Sequence, residues 1–363
     1  MSTKPSEELD HALNRRRFLG VAAGTTAAAV AGTAAAHSAA AHGHGGGHGG
    51  GHGPGGGHGP GGGHGHGGRP AVPRGRLGIQ LYTLRDQVGT VGFGKVFDAL
   101  QRYGYDQVEY AGYTQGNGPL TLPQLRRLAC DHGLRAIGSH VSYHVDDPAG
   151  YSFATSLEQV LDDAEVLGLP YVGTWDGPFR YGNTVDGVKR AAAEFNEYGA
   201  AARRRGMRFY THNHGNEFGF CTDDPTVRIY DLMLAETDPD LVYLEMDIYW
   251  AYTGVHRFSV RPDGTPAPFD PLDYVTADPR RFPLFHVKDG EHDEESRDGY
   301  HMTDVGDGDI DYQRFIGTVT RGRYRKYHNW LVERDDAVDP ATNPAGSFTT
   351  ARRSARHLHR LRA

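Results

Sequence analysis

The chain has 363 residues, a formal charge of −7 and 38% hydrophobic residues, which is enough for one large domain or two ordinary ones. Basic residues are scattered and form no stripe, which excludes nucleic acid as a partner. Only Cys130 and Cys221 are present, too few to staple a fold, so the fold must rest on an apolar core.

In chain order the first element is an export signal over residues 1–41. Arg15, Arg16 and Arg17 precede Phe18 and Leu19, a mild Ala/Gly/Val run follows, and small residues near 34–41 suit an A-x-A cleavage site. The layout predicts export by the twin-arginine pathway, to the periplasm, the cell wall or the medium. A short membrane anchor is the alternative, but the run is brief and glycine-rich for a spanning helix. No later segment is apolar enough to span a bilayer, so no stable membrane insertion is expected after export. Residues 42–75 form a His/Gly-rich linker. Glycine at this density loses too much backbone entropy to order, and the stretch is expected to be disordered. Its imidazoles either hold Zn²⁺, Ni²⁺ or Cu²⁺ loosely or merely punctuate a spacer.

From residue 76 to 363 short apolar runs alternate with amphipathic stretches. The runs fall at 77–83, 107–112, 134–140, 169–175, 208–214, 242–250, 283–289 and 329–335. Helical stretches such as VFDALQRYG and SLEQVLDDAEVLG close on glycine, as a helix C-cap does. Eight strands alternating with helices predict an α/β fold, a closed (β/α)₈ TIM barrel. The rival, an open doubly wound sheet, wants G-x-G-x-x-G after its first strand, and YTLRDQVGTVGFG lacks it.

In such a barrel the chemistry sits where strands run into the following loops. Those ends carry Gln80, Tyr82, Glu109, His140, Trp175, Asp176, His212, His214, Asp247, His286, Lys288 and Glu333. A stability-only barrel has no use for ionisable groups at nearly every strand end, because burying one unpaired charge costs several kcal/mol. Four consecutive strands each offer a nitrogen or oxygen donor: His212, Asp247, His286 and Glu333. Side chains alternate along a strand, so His212 and His214 share a face, as do Glu245 and Asp247, and His286 and Lys288. That set suits a divalent metal ion such as Mn, Mg, Zn or Co.

The motifs LGIQLYTLRD, THNHGNEF, EMDIYWA, FHVKDG, VGDGDIDYQRFI and LVERD together resemble the xylose isomerase-like barrel superfamily, in particular its sugar phosphate isomerase/epimerase branch. The resemblance runs from Leu77 onward. It implies metal ligation by His212, Asp247, His286 and Glu333. Many relatives have Glu in an ENH context where this chain has HNH; the imidazole makes the site one charge less anionic and removes half of a two-glutamate acid/base pair. His214 or Glu217 could stand in as ligand or base.

The activity implied is sugar isomerisation or epimerisation, by proton abstraction next to a carbonyl with the enediolate held on the metal. Glu333 is the first candidate base and Glu217 the second. Lys288 either donates to a substrate oxygen or pairs with Asp289 or Asp304. Glu109, His140, His214 and Trp250 are candidate contacts for a small-molecule sugar or polyol. The polar segment 288–311 is expected to be a loop over the site, with Asp311 starting a helix. Two alternatives stand beside this reading: a lyase or dehydratase of keto-sugars or keto-inositols using the same enolate, and a non-catalytic metal-binding protein. A homo-oligomer is compatible with the sequence.

Overall fold

The structure, a computed structural model, describes residues 68–112 and 120–363. The expected export signal and the linker as far as residue 67 lie outside the described residues. Seven parallel strands follow in order: β1 (Leu77–Gln80), β2 (Gln107–Ala111), β3 (Arg135–Val141), β4 (Tyr171–Thr174), β5 (Arg208–His212), β6 (Val242–Asp247) and β7 (Leu284–Val287). A separate antiparallel hairpin of β8 (Asp289–His292) and β9 (Tyr300–Thr303) comes next, and β10 (Asn329–Val332) closes the barrel between β7 and β1. This is the expected TIM barrel. Its helices are α1 (Arg85–Tyr103), α2 (Leu122–Asp131), α3 (Phe153–Leu167), α4 (Val185–Arg204), α5 (Ile229–Glu236), α6 (Ile248–Phe258), α7 (Pro271–Ala277), α8 (Tyr312–Val319) and α9 (Ser347–Arg360). Among the described residues, no helix is long and apolar enough to cross a membrane.

Local chemistry sets the element ends. α1 and α3 terminate at Gly104 (φ 87°) and Gly168 (φ 73°), left-handed positions that a side chain would strain. α2 starts in a capping box, in which Gln124 Oε1 accepts from the Thr121 backbone N–H at 2.8 Å.

The period of two divides each strand between two environments. Outward residues such as Phe285 and Trp330, partners in register across β7 and β10, stack at 4.6 Å and belong to the large core between strands and helices. Their inward neighbours point into the barrel. Ile137, Tyr171, Tyr210, Leu284 and Leu331 form a separate apolar plug there. One strand departs from simple alternation. Val108 faces Ala136 but Glu109 faces Gly138, so β3 carries an extra residue, and both Ile137 and His140 reach the interior.

Two stretches differ from expectation. The end of the linker is ordered: Pro70 pairs with Arg362, the Ala71 N–H donates to Leu361 O at 3.0 Å, and Ala71 and Val72 are buried. These two apolar side chains, unlike the glycines before them, have a surface to cover. The polar segment after β7 is also structured, because it contains the β8–β9 hairpin. Asp289 organises it, accepting from the N–H groups of Gly290 (2.9 Å), Gly306 (2.8 Å) and Ile310 (3.3 Å). Asp311 caps α8 through the Arg314 N–H at 2.8 Å, as its position predicts.

Candidate metal centre and active site

Above the apolar plug the inward columns turn polar. β6 contributes Glu245 then Asp247, β7 His286 then Lys288 just past its end, β10 Leu331 then Glu333, and β5 Tyr210 then His212. The lowest polar layer is a carboxylate floor of Glu109 and Glu245, both fully buried. Glu109 accepts from Gln80 Nε2 at 3.0 Å and from the Tyr210 hydroxyl, and lies 2.7 Å from His286 Nε2. Glu245 lies 2.7 Å from His140 Nε2, 3.2 Å from His286 Nε2 and 3.4 Å from His212 Nδ1. Gly138 makes room for this layer, since a Cβ there would stand 2.9 Å from Glu109 Oε1.

Each of two imidazoles then turns its other nitrogen toward the rim. His286 Nδ1 is 2.7 Å from Glu333 Oε2 and 3.8 Å from Asp247 Oδ2, and His212 Nε2 is 3.7 Å from Asp247 Oδ2. Lys288 Nζ stands among the rim carboxylates, 2.9 Å from Asp247 Oδ2, 2.9 Å from Glu333 Oε2 and 2.7 Å from Asp335 Oδ1. Only the last contact is aligned as a hydrogen bond. Asp247 Oδ2, His286 Nδ1, His212 Nδ1 and Glu245 Oε1 are buried with no hydrogen-bond partner despite their close neighbours.

Buried, unmet atoms of this kind call for an explanation, and a bound cation would supply one. Two overlapping sets of donor atoms lie within 4.8 Å of one another: Asp247, His286 and Glu333 at the rim, and His140, His212, Glu245 and His286 below. A mixture of imidazole and carboxylate fits Zn²⁺ or Mn²⁺. Of these residues Glu333, His140 and His212 border the cavity above, while Asp247 and His286 are fully buried. In the lower set Glu245, with Glu109 beside it, approaches the imidazoles from below, as the carboxylates behind metal-bound histidine do.

The electrostatics are divided accordingly. Burial opposes charge on His286, but Glu245 and Glu333 outweigh it and raise its pKa well above the usual value. Burial alone dominates His212, whose pKa falls well below normal. At Glu333 burial is overcome by Lys288 and His286, and the carboxyl is held well below its usual range. Asp247 is pushed up to about 6 by burial, against the pull of Lys288. Lys288 itself is raised, as burial yields to Asp247, Asp335 and Glu333.

A cavity of about 800 Å³ opens over the rim, lined among others by His140, His212, His214, Lys288, Glu333 and Asp335. The expected quartet of His212, Asp247, His286 and Glu333 is thus brought together beneath a cavity, with Lys288 held between Asp247 and Glu333. Lys288 pairs with Asp247, Glu333 and Asp335. Neither Asp289, which ties the hairpin, nor Asp304, which pairs with Arg334 at 2.9 Å, is its partner.

Two expected contacts, Glu109 and Trp250, and the second candidate base, Glu217, lie away from the cavity lining. Glu109 is sealed into the floor by Gln80, Tyr210 and His286, so it does not meet a substrate hydroxyl. Glu217 is enclosed beside the cavity; its carboxylate accepts from the His214 N–H at 3.0 Å, and burial pushes its pKa up to about 7. Trp250 stands behind His214, with ring centroids 5.6 Å apart, and donates to Asp335 Oδ2 at 3.1 Å. The reading from sequence missed Asp335, which the two-residue spacing from Glu333 could have revealed. It also missed the supporting role of Glu245.

The molecule is thus a parallel eight-stranded TIM barrel whose imidazoles and carboxylates, clustered at the C-terminal ends of its strands, could hold a metal ion. The chain belongs to the xylose isomerase-like TIM barrel family, whose model matches residues 97–358. Among solved structures it is similar to a sugar phosphate isomerase/epimerase from Parabacteroides distasonis, with 22% identity, a TM-score of 0.59, and 79% of this chain and 95% of that one covered. The probable 3-DHS dehydratase AsbF from Bacillus anthracis matches at 13% identity and TM-score 0.54, over 78% and 98% of the two chains. IolI, in a structure with a bound zinc atom, matches at 15% identity and TM-score 0.55, over 78% and 96%. At these identities the likeness establishes the fold. No curated protein matches the chain significantly.

Proposed function

We propose that this protein is a metal-dependent enzyme that removes a proton from carbon next to a carbonyl in a sugar, keto-sugar or related polyol, in the manner of sugar isomerases and epimerases. The observation that carries the reading is the pair of buried, unmet atoms, Asp247 Oδ2 and His286 Nδ1, clustered with Glu333, which itself lines the cavity. Asp247, His286 and Glu333, with His212, would hold a divalent ion. Bound there, the ion would polarise the substrate carbonyl and offset the charge that develops on its oxygen.

The chain's own groups take the remaining roles. Glu333 stays ionised beside Lys288 and borders the cavity, so its carboxylate oxygen can accept the proton. Lys288 carries the compensating positive charge and can donate to a substrate oxygen within reach of Glu333. Both groups are buried, and the lower local dielectric strengthens each charge interaction.

A lyase or dehydratase is the second reading, and one observation favours it. The two-carboxylate pair of an epimerase needs a second base, but the fifth-strand position is His212, a buried imidazole with depressed basicity. One carboxylate base and one adjacent ammonium acid suit elimination: Glu333 takes the proton, and Lys288 protonates the departing oxygen. The test is deuterium exchange in D₂O, followed by NMR, with ketoses and 3-keto sugars and the metal-loaded protein. Solvent deuterium at the α-carbon with an intact carbon and oxygen skeleton supports isomerase chemistry. Exchange accompanied by loss of water or of the glycosidic partner supports the lyase. No exchange across the panel leaves a metal-binding protein.

A further inference from the structure

The rim of the barrel is chemically divided. The rim groups that would hold a cation project from β5, β6, β7 and β10, whereas the opposite arc carries aromatic side chains. Tyr82 follows β1, Tyr151 leads into α3, and Trp175 follows β4. Their exposures are 42%, 38% and 47%, and among the described residues they are the Tyr, Trp and Phe side chains left exposed. All three line the 800 Å³ cavity. Exposed rings elsewhere would be ordinary, but three converging on one cavity form an apolar surface that folding left open.

The rings are also tethered. Trp175 Nε1 donates to Ser142 Oγ at 3.4 Å, the Tyr151 hydroxyl donates to Asp163 Oδ2 at 2.9 Å, and the Arg85 guanidinium backs the Tyr82 ring at 3.7 Å from its centroid. Orientation is thereby set before a ligand arrives, which lowers the entropic cost of binding.

Charge narrows the ligand further. Among the described cavity-lining residues Lys288 is the one lysine or arginine, and it is committed to three carboxylates. The other charged lining groups are Asp163, Glu333 and Asp335. Among the described lining residues, a phosphate brought here would meet three carboxylates and no lysine or arginine other than Lys288. The cavity is also larger than one hexose needs and falls in the range of about 300–1,000 Å³ typical of drug-sized ligands.

We propose that the aromatic arc is a second ring-binding subsite, and that the substrate class is an uncharged glycoside of at least two rings. One ring sits at the ionic edge and the next stacks on Trp175, with Tyr82 and Tyr151 beside it. C–H faces of a sugar pack on aromatic faces while the hydroxyls stay available to the polar rim. The assignment deepens the proton-abstraction reading and rests on it for the ring at the ionic edge.

The test is equilibrium binding to the full-length protein, read by calorimetry and by tryptophan fluorescence, to which the exposed Trp175 responds. The probes are cellobiose, maltose and phenyl β-glucoside, against glucose and glucose 6-phosphate. The expected result is that at least one two-ring probe binds about tenfold or more tighter than glucose, and that glucose 6-phosphate binds more weakly than glucose. Trp175→Ala is expected to erase most of the two-ring preference, and Trp175→Phe, which keeps a stacking face, to retain most of it. Strongest binding of glucose 6-phosphate, a preference that survives Trp175→Ala, or no two-ring binding at all would overturn the assignment. The two proposals fail separately. Proton exchange on single-ring ketoses without any two-ring preference removes only the subsite, and a Trp175-dependent preference without exchange removes only the deprotonation chemistry.

Discussion

Lys288 is the most informative side chain to remove. Its ammonium is buried within 2.9 Å of Asp247, Glu333 and Asp335, so Lys288→Met leaves the two buried carboxylates of Asp247 and Glu333, with the half-buried Asp335 beside them, uncompensated at similar side-chain volume. Breaking a buried charge cluster in this way costs about 3–5 kcal/mol. At roughly 2 °C per kcal/mol for a domain of this size, the melting midpoint in EDTA should fall by about 6–10 °C. The sign reverses for metal. A unit charge about 4 Å from another contributes about 4 kcal/mol at the effective dielectric of a protein, so losing the ammonium removes a comparable repulsion against an incoming cation. Metal affinity should therefore rise by at least about tenfold, and saturating Mn²⁺ or Zn²⁺ should restore much of the lost stability, about 2.7 kcal/mol at a hundredfold excess over Kd. Differential scanning calorimetry of wild type and variant in EDTA and across a metal titration measures both terms. The His/Gly-rich segment is common to both proteins and cancels. If the variant melts like wild type in EDTA, or gains no more from metal than wild type does, the rim carboxylates do not compete with Lys288 for a cation.

Glu333→Gln keeps the side-chain shape at a nearly enclosed position. It should leave circular dichroism unchanged while reducing solvent deuterium uptake into an active ketose by at least about a hundredfold, the usual scale of a positioned base. Glu245→Gln takes the carboxylate away from His140, His286 and His212 together. Metal affinity measured by competition with a chromogenic chelator should fall about 10–100-fold. Far from the site, His328 is buried, donates through Nδ1 to Phe282 O at 2.7 Å, and has its pKa pushed down by burial to about 4. Because its folded pKa lies below the unfolded value of about 6.5, its contribution is complete above pH 6.5 and is lost as pH falls toward 4, up to about 3 kcal/mol. Urea unfolding at pH 7 and pH 4.5 should show a smaller loss for His328→Gln than for wild type.

Alternation at strand ends made much of this site legible. His212, Asp247, His286 and Glu333 each follow an apolar run at the point where a barrel strand meets its loop, and the same parity marks Lys288. What stayed hidden depends on depth and register. The face of Glu109 and Glu245 was legible, but their depth was not: only the closed barrel shows that they lie in a sealed layer below the rim. His140 was legible as a rim residue, but the extra residue in β3 that turns both it and Ile137 inward is shown by no periodicity. The β8–β9 hairpin escaped notice because β8 is buried only at Asp289 and Gly290 and β9 is buried nowhere, leaving no apolar alternation to detect. The order of Pro70 to Val72 comes from long-range pairing with Leu361 and Arg362, almost three hundred residues away in the chain.

Crystals of the full-length protein grown with Mn²⁺ and measured for anomalous scattering test the central claim most directly. The account predicts one strong peak within coordination distance of Asp247, His286 and Glu333, with the Lys288 ammonium drawn toward Asp335. A barrel with no peak there, and with Lys288 still between Asp247 and Glu333 under saturating metal, would contradict it.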